Sequence, residues 1–480
     1  MLGYLGVQVR DKLILVVLIS FFLSQCLLLH YFIPLFIFII AGFIWLILRH
    51  PEVALFVVVV AANDFFSLIS EDIFRLPGVF RFKDLLFIFT YLVLFLQILQ
   101  RKISLKRSLF SRAIWLVLFF VILEVFLTMF LRQQNFNYTI RMGRRYLYYL
   151  LYFPLVYLIN DDKKFNRFLN LILGATVIYS LLIITQYILG SSHVLFRFAS
   201  HLEEQKIAGE YVTRTYAAGV SLAVICFYFF FYRILLEKKQ SWVNFTVLIL
   251  TFFSGVYLTF GRANLFGVAA GFIFSFFILL NGKLKIRALL ITLTFGIVLL
   301  STFEIIRVVS GKDVPNPITH SFKALLSGVE DLRNKTGTFG FRLKDSVERI
   351  DLIKKNSVTG IGFVHPLSGI IKIRADTSGI VTADSGLITL LLDFGMLGII
   401  WLIFLTLVFF KKTKKLYFET TDIHKKVIVI AAFSYFFSRL FSFLTLTEFV
   451  NQGGIVSLIV TFFILNYIEV NKDGYINNNR

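Results

Sequence analysis

Cysteine is almost absent. Cys26 and Cys226 both stand in apolar runs, so neither a disulfide framework nor a zinc cluster organises this chain. Charge is scarce too: Asp, Glu, Lys and Arg make up 16% of the 480 residues, against about a quarter in soluble proteins. That argues against a water-soluble globule. Acids are the scarcer sign, 28 against 49 bases, which leaves a formal +21. Disorder is excluded as well, because a chain that is 58% hydrophobic buries more surface than its ordering costs. A pI near 9.8 usually marks nucleic-acid binding. Here a mean hydropathy of +0.81 points instead to a bilayer, where Lys and Arg record orientation, and no nucleic-acid partner is expected. No internal repeat, phosphate-binding Gly-x-x-x-x-Gly-Lys loop or dinucleotide fingerprint occurs. His193, His201 and His365 fall in no metal-ligand spacing, so neither metal nor other cofactor is expected.

What is present is a series of long apolar runs. A hydrocarbon core of about 30 Å takes about 20 apolar residues per helix, and backbone groups in lipid must be satisfied within the segment. The alternation of a β-barrel is missing. The expected fold is therefore an all-α polytopic membrane protein of about 14 transmembrane helices. The spans fall at 13–29, 31–48, 53–70, 85–100, 113–131, 146–159, 168–189, 216–234, 243–259, 263–280, 288–306, 386–410, 427–446 and 453–469. With the N-terminus inside, roughly half of the bases become cytoplasmic, including Lys163-Lys164, Lys283, Lys285, Arg287 and the run 411–415. The positive-inside rule then puts both termini in the cytoplasm. The basic start reads as part of an uncleaved first helix. Three regions follow: 1–306 with helices 1–11, a large extracytoplasmic loop at 307–385 between helices 11 and 12, and 386–480 with helices 12–14 and a cytoplasmic tail. So long a loop is uncommon unless functional. It favours an enzyme with an extracytoplasmic site over a transporter built from repeated halves.

Five ionisable groups fall within spans, where each costs roughly 2.5–3.5 kcal/mol at the bilayer centre: Asp64, Glu124, Glu304, Asp393 and Arg439. Asp64 and Glu304 read as snorkelling or locally satisfied. Asp393 and Arg439 lie deeper and are expected to face a polar cavity, and the sequence leaves open whether they pair. The outer loop Arg132–Arg145 carries four arginines, Arg141 and Arg144 among them, and no acid. Its two readings are an anionic ligand, which suits the planar guanidinium fork, and contact with lipid headgroups. Arg262 stands in a tight turn between two apolar helices, a natural place to hold a phosphate. Residues 342–355 read as an amphipathic helix with Leu343, Val347, Ile350 and Ile353 on one stripe and Arg342 and Arg349 on the polar side. A two-glycine turn ending at His365 and Pro366 follows. Asp384, where the loop re-enters the membrane, is a general base or, with Ser385, a helix cap. The acidic pair Glu71-Asp72 has no further ligands beside it.

Four motifs lie in order between about Thr251 and Phe410. They are Thr259-Phe-Gly-Arg262-Ala, Arg342 ahead of Gly360-Ile-Gly-Phe363, Asp384-Ser385, and Leu390-Leu-Leu-Asp-Phe-Gly395-Met-Leu-Gly398. Together they resemble the bacterial O-antigen ligase/O-antigen polymerase family, which includes polymerases of capsules, exopolysaccharides and teichuronic-type acids. Gly261 replaces the family's Ser, Ser357 its Pro, and Asp384-Ser385 its frequent His-Asn pair. The first 250 residues match only in being helical. The resemblance implies metal-independent glycosyl transfer on the outer face of the bacterial cytoplasmic membrane. The donor would be a polyprenyl-pyrophosphate-linked oligosaccharide (undecaprenyl in this family) and the acceptor a growing polysaccharide. A flippase and a chain-length regulator would be partners, besides membrane lipids. It assigns Arg262 and Arg342 to the pyrophosphate, with Arg141, Arg144, Arg349 and Arg439 as further candidates. The base would be Asp384 or His365. A ligase transferring the glycan to another acceptor is the near alternative. A lipid-linked oligosaccharide flippase or exporter is the alternative from another class.

Overall fold

The computed structural model describes residues 32–68, 81–100, 108–189, 195, 203–207, 210–214, 218–237, 241–259, 262–310, 333, 347, 349–365 and 385–471. The expected span 13–29, the pair Glu71-Asp72, Arg342 and Asp384 lie outside the described residues. Arg262 and Glu304 are described by their backbone alone.

Apolar runs become helices because the helical ladder satisfies every amide without water. Helix α1 is Phe32–Arg49 and α2 is Pro51–Ala62. The proline sits in the first turn of α2, where a missing N–H costs nothing. Helix α3 is Phe82–Leu99. Helix α4, Ser111–Phe126, widens at its end into a π-helical turn, Leu127–Leu131. Helix α5, Phe136–Leu147, is capped by Asn135, whose Oδ1 accepts the Asn137 N–H at 2.9 Å. It continues through a 3-10 turn, Tyr148–Leu151, into α6, Tyr152–Leu158, and α7 is Asp162–Leu189. Helix α8 is Val220–Leu236, and α9 is Trp242–Phe252 followed by a second π-helical turn, Phe253–Tyr257. Helices α10, Arg262–Ile278, and α11, Gly282–Ser310, precede the segment 311–385. After it come α12, Gly386–Glu419, α13, Ile423–Ser442, and α14, Gln452–Val470. Asp422 and Asn451 cap the last two through their side-chain oxygens.

Among the described residues, five helices are long and apolar enough to cross a membrane: α3, Ser111–Leu131, α7, α12 and α14. Shorter apolar helices accompany them, the build of a multi-pass membrane protein. Two details depart from the expectation. A short antiparallel hairpin, Glu203–Ile207 with Glu210–Arg214, interrupts the helices, with Glu203 opposite Arg214. Its Tyr, Val and Thr are strand formers and its two-residue connection contains glycine. The second departure is α5: residues expected as an arginine-rich loop are helical, because Asn135 supplies the cap.

The interior is aromatic. Helices α8 and α14 are buried on almost every side. Phe409 of α12 stacks on Phe436 of α13 at 3.9 Å, and Phe110 stacks on Phe462 of α14 at 4.6 Å. Helix α10 lies directly on α13. A Cβ at Gly267 would meet the Ser442 Cβ at 3.0 Å, and one at Gly271 the Ser434 carbonyl carbon at 3.1 Å. Small residues four apart permit such approach where lipid removes any hydrophobic drive between helices.

Candidate functional site

The site is organised by a break in α12. Gly395 adopts φ 57° and ψ −143°, which only glycine visits readily. The break frees amides and carbonyls of α12, and the turn at 357–362 takes them up. Met396 N–H donates to Ser357 O at 2.8 Å and Leu397 N–H to Val358 O at 3.3 Å. In return Ile361 and Gly362 N–H donate to Leu392 O at 2.7 and 3.1 Å. Gly360 also has positive φ, and a Cβ there would lie 2.7 Å from the Gly395 nitrogen. Gly395 is nine residues into α12, about 14 Å at 1.5 Å per residue. The loop therefore dips beside its helix, and irregular backbone at that depth survives because protein satisfies it.

The other side of the turn is held by the end of α4. Arg132 donates from Nη2 to Gly360 O at 2.7 Å, and from Nη1 to Glu124 Oε2 at 3.1 Å and Thr128 Oγ1 at 3.0 Å. Phe363 N–H donates to Thr128 Oγ1 at 3.2 Å. The π-helical turn places Thr128 for this, a common use of such turns. Gln134 closes the clamp, donating from Nε2 to Phe363 O at 2.6 Å and accepting the His365 N–H on Oε1 at 2.8 Å.

Helix α5 then lines the site with arginines. Arg145 Nη2 and the Tyr146 hydroxyl both donate to Asp393 Oδ2 at 2.5 Å. Arg144 Nη1 lies 3.4 Å from Asp84 Oδ2, and the Tyr148 hydroxyl donates to Asp84 Oδ1 at 2.9 Å. Lys83 pairs with Asp64. Arg81 at the head of α3 stands in the field of Arg144 and Arg141; burial and these neighbours weaken its hold on its proton, while Asp64 and Asp84 offset them. Arg141 itself is exposed and makes no ion pair among the described residues. It faces His365 electrostatically. Burial and Arg141 hold that imidazole below the ordinary histidine range. The ring is therefore neutral at pH 7, and it stacks on Tyr138 at 4.6 Å. Lys83, Arg132, Arg144 and Arg145 thus pair with Asp64, Glu124, Asp84 and Asp393, and Arg141 acts electrostatically on Arg81 and His365. Among the described residues no three His, Cys, Asp or Glu converge as metal ligands do.

Asp393 and Arg439 do not pair. Arg439 is fully buried, with Nη1 2.7 Å from Glu448 Oε1 and its guanidinium over the Tyr435 ring. Glu448 also accepts the Ser221 hydroxyl at 3.0 Å. Arg349 departs from its expected polar side. It is 7% exposed, whereas Val347 and Ile350 are 55% and 37% exposed. Ile353 of the same stripe is partly buried and packs with Leu352 against Ile361 and Leu392, so the stripe is split between the protein and the exposed side. Arg262 opens α10. The buried Asn264 tethers that turn, donating from Nδ2 to Gly255 O at 2.5 Å.

Sequence reasoning picked out Arg141, Arg144 and His365, which the structure brings together. It did not single out Arg81, Lys83 and Gln134, and it read Arg132 and Arg145 only as members of the arginine-rich loop. The cap Asn135 followed by Phe136, Ile140 and Gly143 at helical spacing was the available signal for α5.

No curated protein matches the chain. Residues 245–403, from α9 through the break in α12, match the family described as O-antigen ligase. The match covers about a third of the chain and supports an O-antigen ligase/polymerase-type domain at those residues.

Proposed function

We propose that this protein is a metal-independent polysaccharide polymerase. It joins polyprenyl-pyrophosphate-linked oligosaccharide units on the outer face of a bacterial cytoplasmic membrane, as a protein of fourteen spans with both termini inside. The observation that carries the reading is exposed Arg141, which makes no ion pair among the described residues and, with burial, holds His365 below the ordinary histidine range. In the transfer, an acceptor hydroxyl attacks the anomeric carbon of the donor sugar. The bond to the pyrophosphate oxygen breaks, and the leaving group departs with the electron pair. Negative charge grows on that oxygen, so fixed guanidinium groups act as an oxyanion clamp, about 3–4 kcal/mol for one contact. Arg141, with Arg144, Arg262 and Arg342, forms the proposed clamp. Arg349 and Arg439 are enclosed by protein and stay out of it. His365, held neutral, is the proposed base for the acceptor proton; Asp384 is the alternative. A flippase supplying donor and a chain-length regulator are the expected partners.

The family match favours one second reading, transfer of the lipid-linked glycan to a different acceptor. Incubating purified protein with a lipid-linked repeat unit alone separates them. A ladder of longer lipid-linked glycans is the result expected of a polymerase. Product only on addition of a second acceptor lipid indicates a ligase, and no product in either case overturns both.

A further inference from the structure

Far along α10 from Arg262, an apolar trough of about 820 Å³ opens between α8, α10 and α11. Phe272, Phe276 and Phe277 of α10 form one wall, and Leu289, Leu293 and Gly296 of α11 the other. Its mouth is cationic. Lys283, Lys285 and Arg287 stand in the first turns of α11, and no acid occurs between Arg262 and Glu304 to offset them. Lys285 lies over the Phe276 and Phe277 rings at 5.5 and 5.6 Å, and Arg287 Nη2 donates to Ile234 O at 3.2 Å. The positive end of the α11 dipole points the same way. Leu289, Leu293 and Ile297 are more than half exposed, so little of the described protein covers the trough from outside.

We propose that the trough seats an anionic glycerophospholipid, with its acyl chains between α10 and α11 and its phosphate at Lys283, Lys285 and Arg287. Apolar depth alone would accept any hydrocarbon. The three cations, which form no ion pair among the described residues, select a negatively charged headgroup, as basic pockets between membrane helices do. The lipid then supplies packing that α11 lacks, and holds it against the helix that begins with Arg262.

Native mass spectrometry of the full chain from nanodiscs of phosphatidylcholine and phosphatidylglycerol tests this without reference to catalysis. Wild type is expected to retain phosphatidylglycerol, and K283Q/K285Q/R287Q to retain it about tenfold less, about 1.4 kcal/mol. A control with the same charge removed elsewhere, K411Q/K412Q/K414Q, should match wild type. Arg287 also bonds α8, so Gly296→Phe is the second variant. It keeps every charge and fills space where a Cβ meets nothing within 4 Å; it too should lose the lipid. Equal loss in the control, retention in Gly296→Phe, or displacement of the lipid by polyprenyl phosphate with no dependence on the three cations would each overturn the proposal.

Discussion

Replacing Gly395 by alanine should release the turn at 357–365 from α12. Two costs add. Alanine at φ 57° and ψ −143° carries about 1–3 kcal/mol of backbone strain. Its Cβ would fall 2.5 Å from Gly360 N and from Val358 O, and 2.6 Å from Ser357 O. Overpacking of that kind costs about 1–3 kcal/mol. The total, about 2–6 kcal/mol, equals what the four backbone hydrogen bonds across the junction contribute at about 0.5–1.5 kcal/mol each. The turn, rather than the helix, is therefore expected to give way. At about 3 kcal/mol its undocked population rises more than about a hundredfold. Ile361, 5% exposed beneath the junction, is the reporter. As the sole cysteine of the chain, Ile361→Cys should react slowly with a thiol reagent in wild type and much faster beside Gly395→Ala, with glycan transfer lost in parallel. Unchanged labelling with turnover within about twofold of wild type would refute the argument.

Asp393→Asn should strand Arg145 inside the protein. Removing one partner of a buried ion pair costs about 3–5 kcal/mol, readable as a lowered unfolding transition when buried Cys226 becomes reactive in a Cys26→Ser background; an unchanged transition would remove Asp393 from the scaffold. Arg141→Gln should raise the His365 pKa, because Arg141 is one of the two causes that lower it. The depressed value makes the folded protein bind fewer protons than the unfolded chain just below the ordinary pKa of about 6.5. That stabilisation is complete above 6.5 and is lost as pH falls through the folded value. The acid limb of transfer activity should therefore move to higher pH in Arg141→Gln, and an unmoved limb would exclude His365 as the base. Arg262→Ala should insert normally but fail to extend polymer; wild-type chain lengths would contradict its place in the clamp.

Apolar runs made most helices legible, since lipid leaves the backbone few choices. The Gly360 and Gly395 motifs were legible as motifs, but their pairing was not: residues 35 apart become neighbours only because one helix breaks. Partners of the intramembrane charges were hidden for the same reason. Asp393 finds Arg145 from 248 residues away, and Arg132 finds Gly360 from 228 away. Helix α5 was missed because it lacks the long apolar run used to recognise the others. Tyr146 near its end and Tyr148 and Tyr149 just after it anchor it by hydroxyl groups instead, to Asp393, Asp84 and Phe449 O. Arg349 was assigned to the wrong side because amphipathicity says which faces differ, not which one meets solvent.

The interlock of the 357–362 turn with Gly395 also sets the rules for exchanging parts between proteins of this type. A graft that imports the glycine turn must bring the donor's broken helix with it as a matched pair. Arg132, Thr128 and Gln134 belong to the same inheritance unit although they lie more than 200 residues upstream. Chimaeras cut between the two glycines should misfold locally; those that keep residues 124–134, 357–365 and 386–397 from one parent should not.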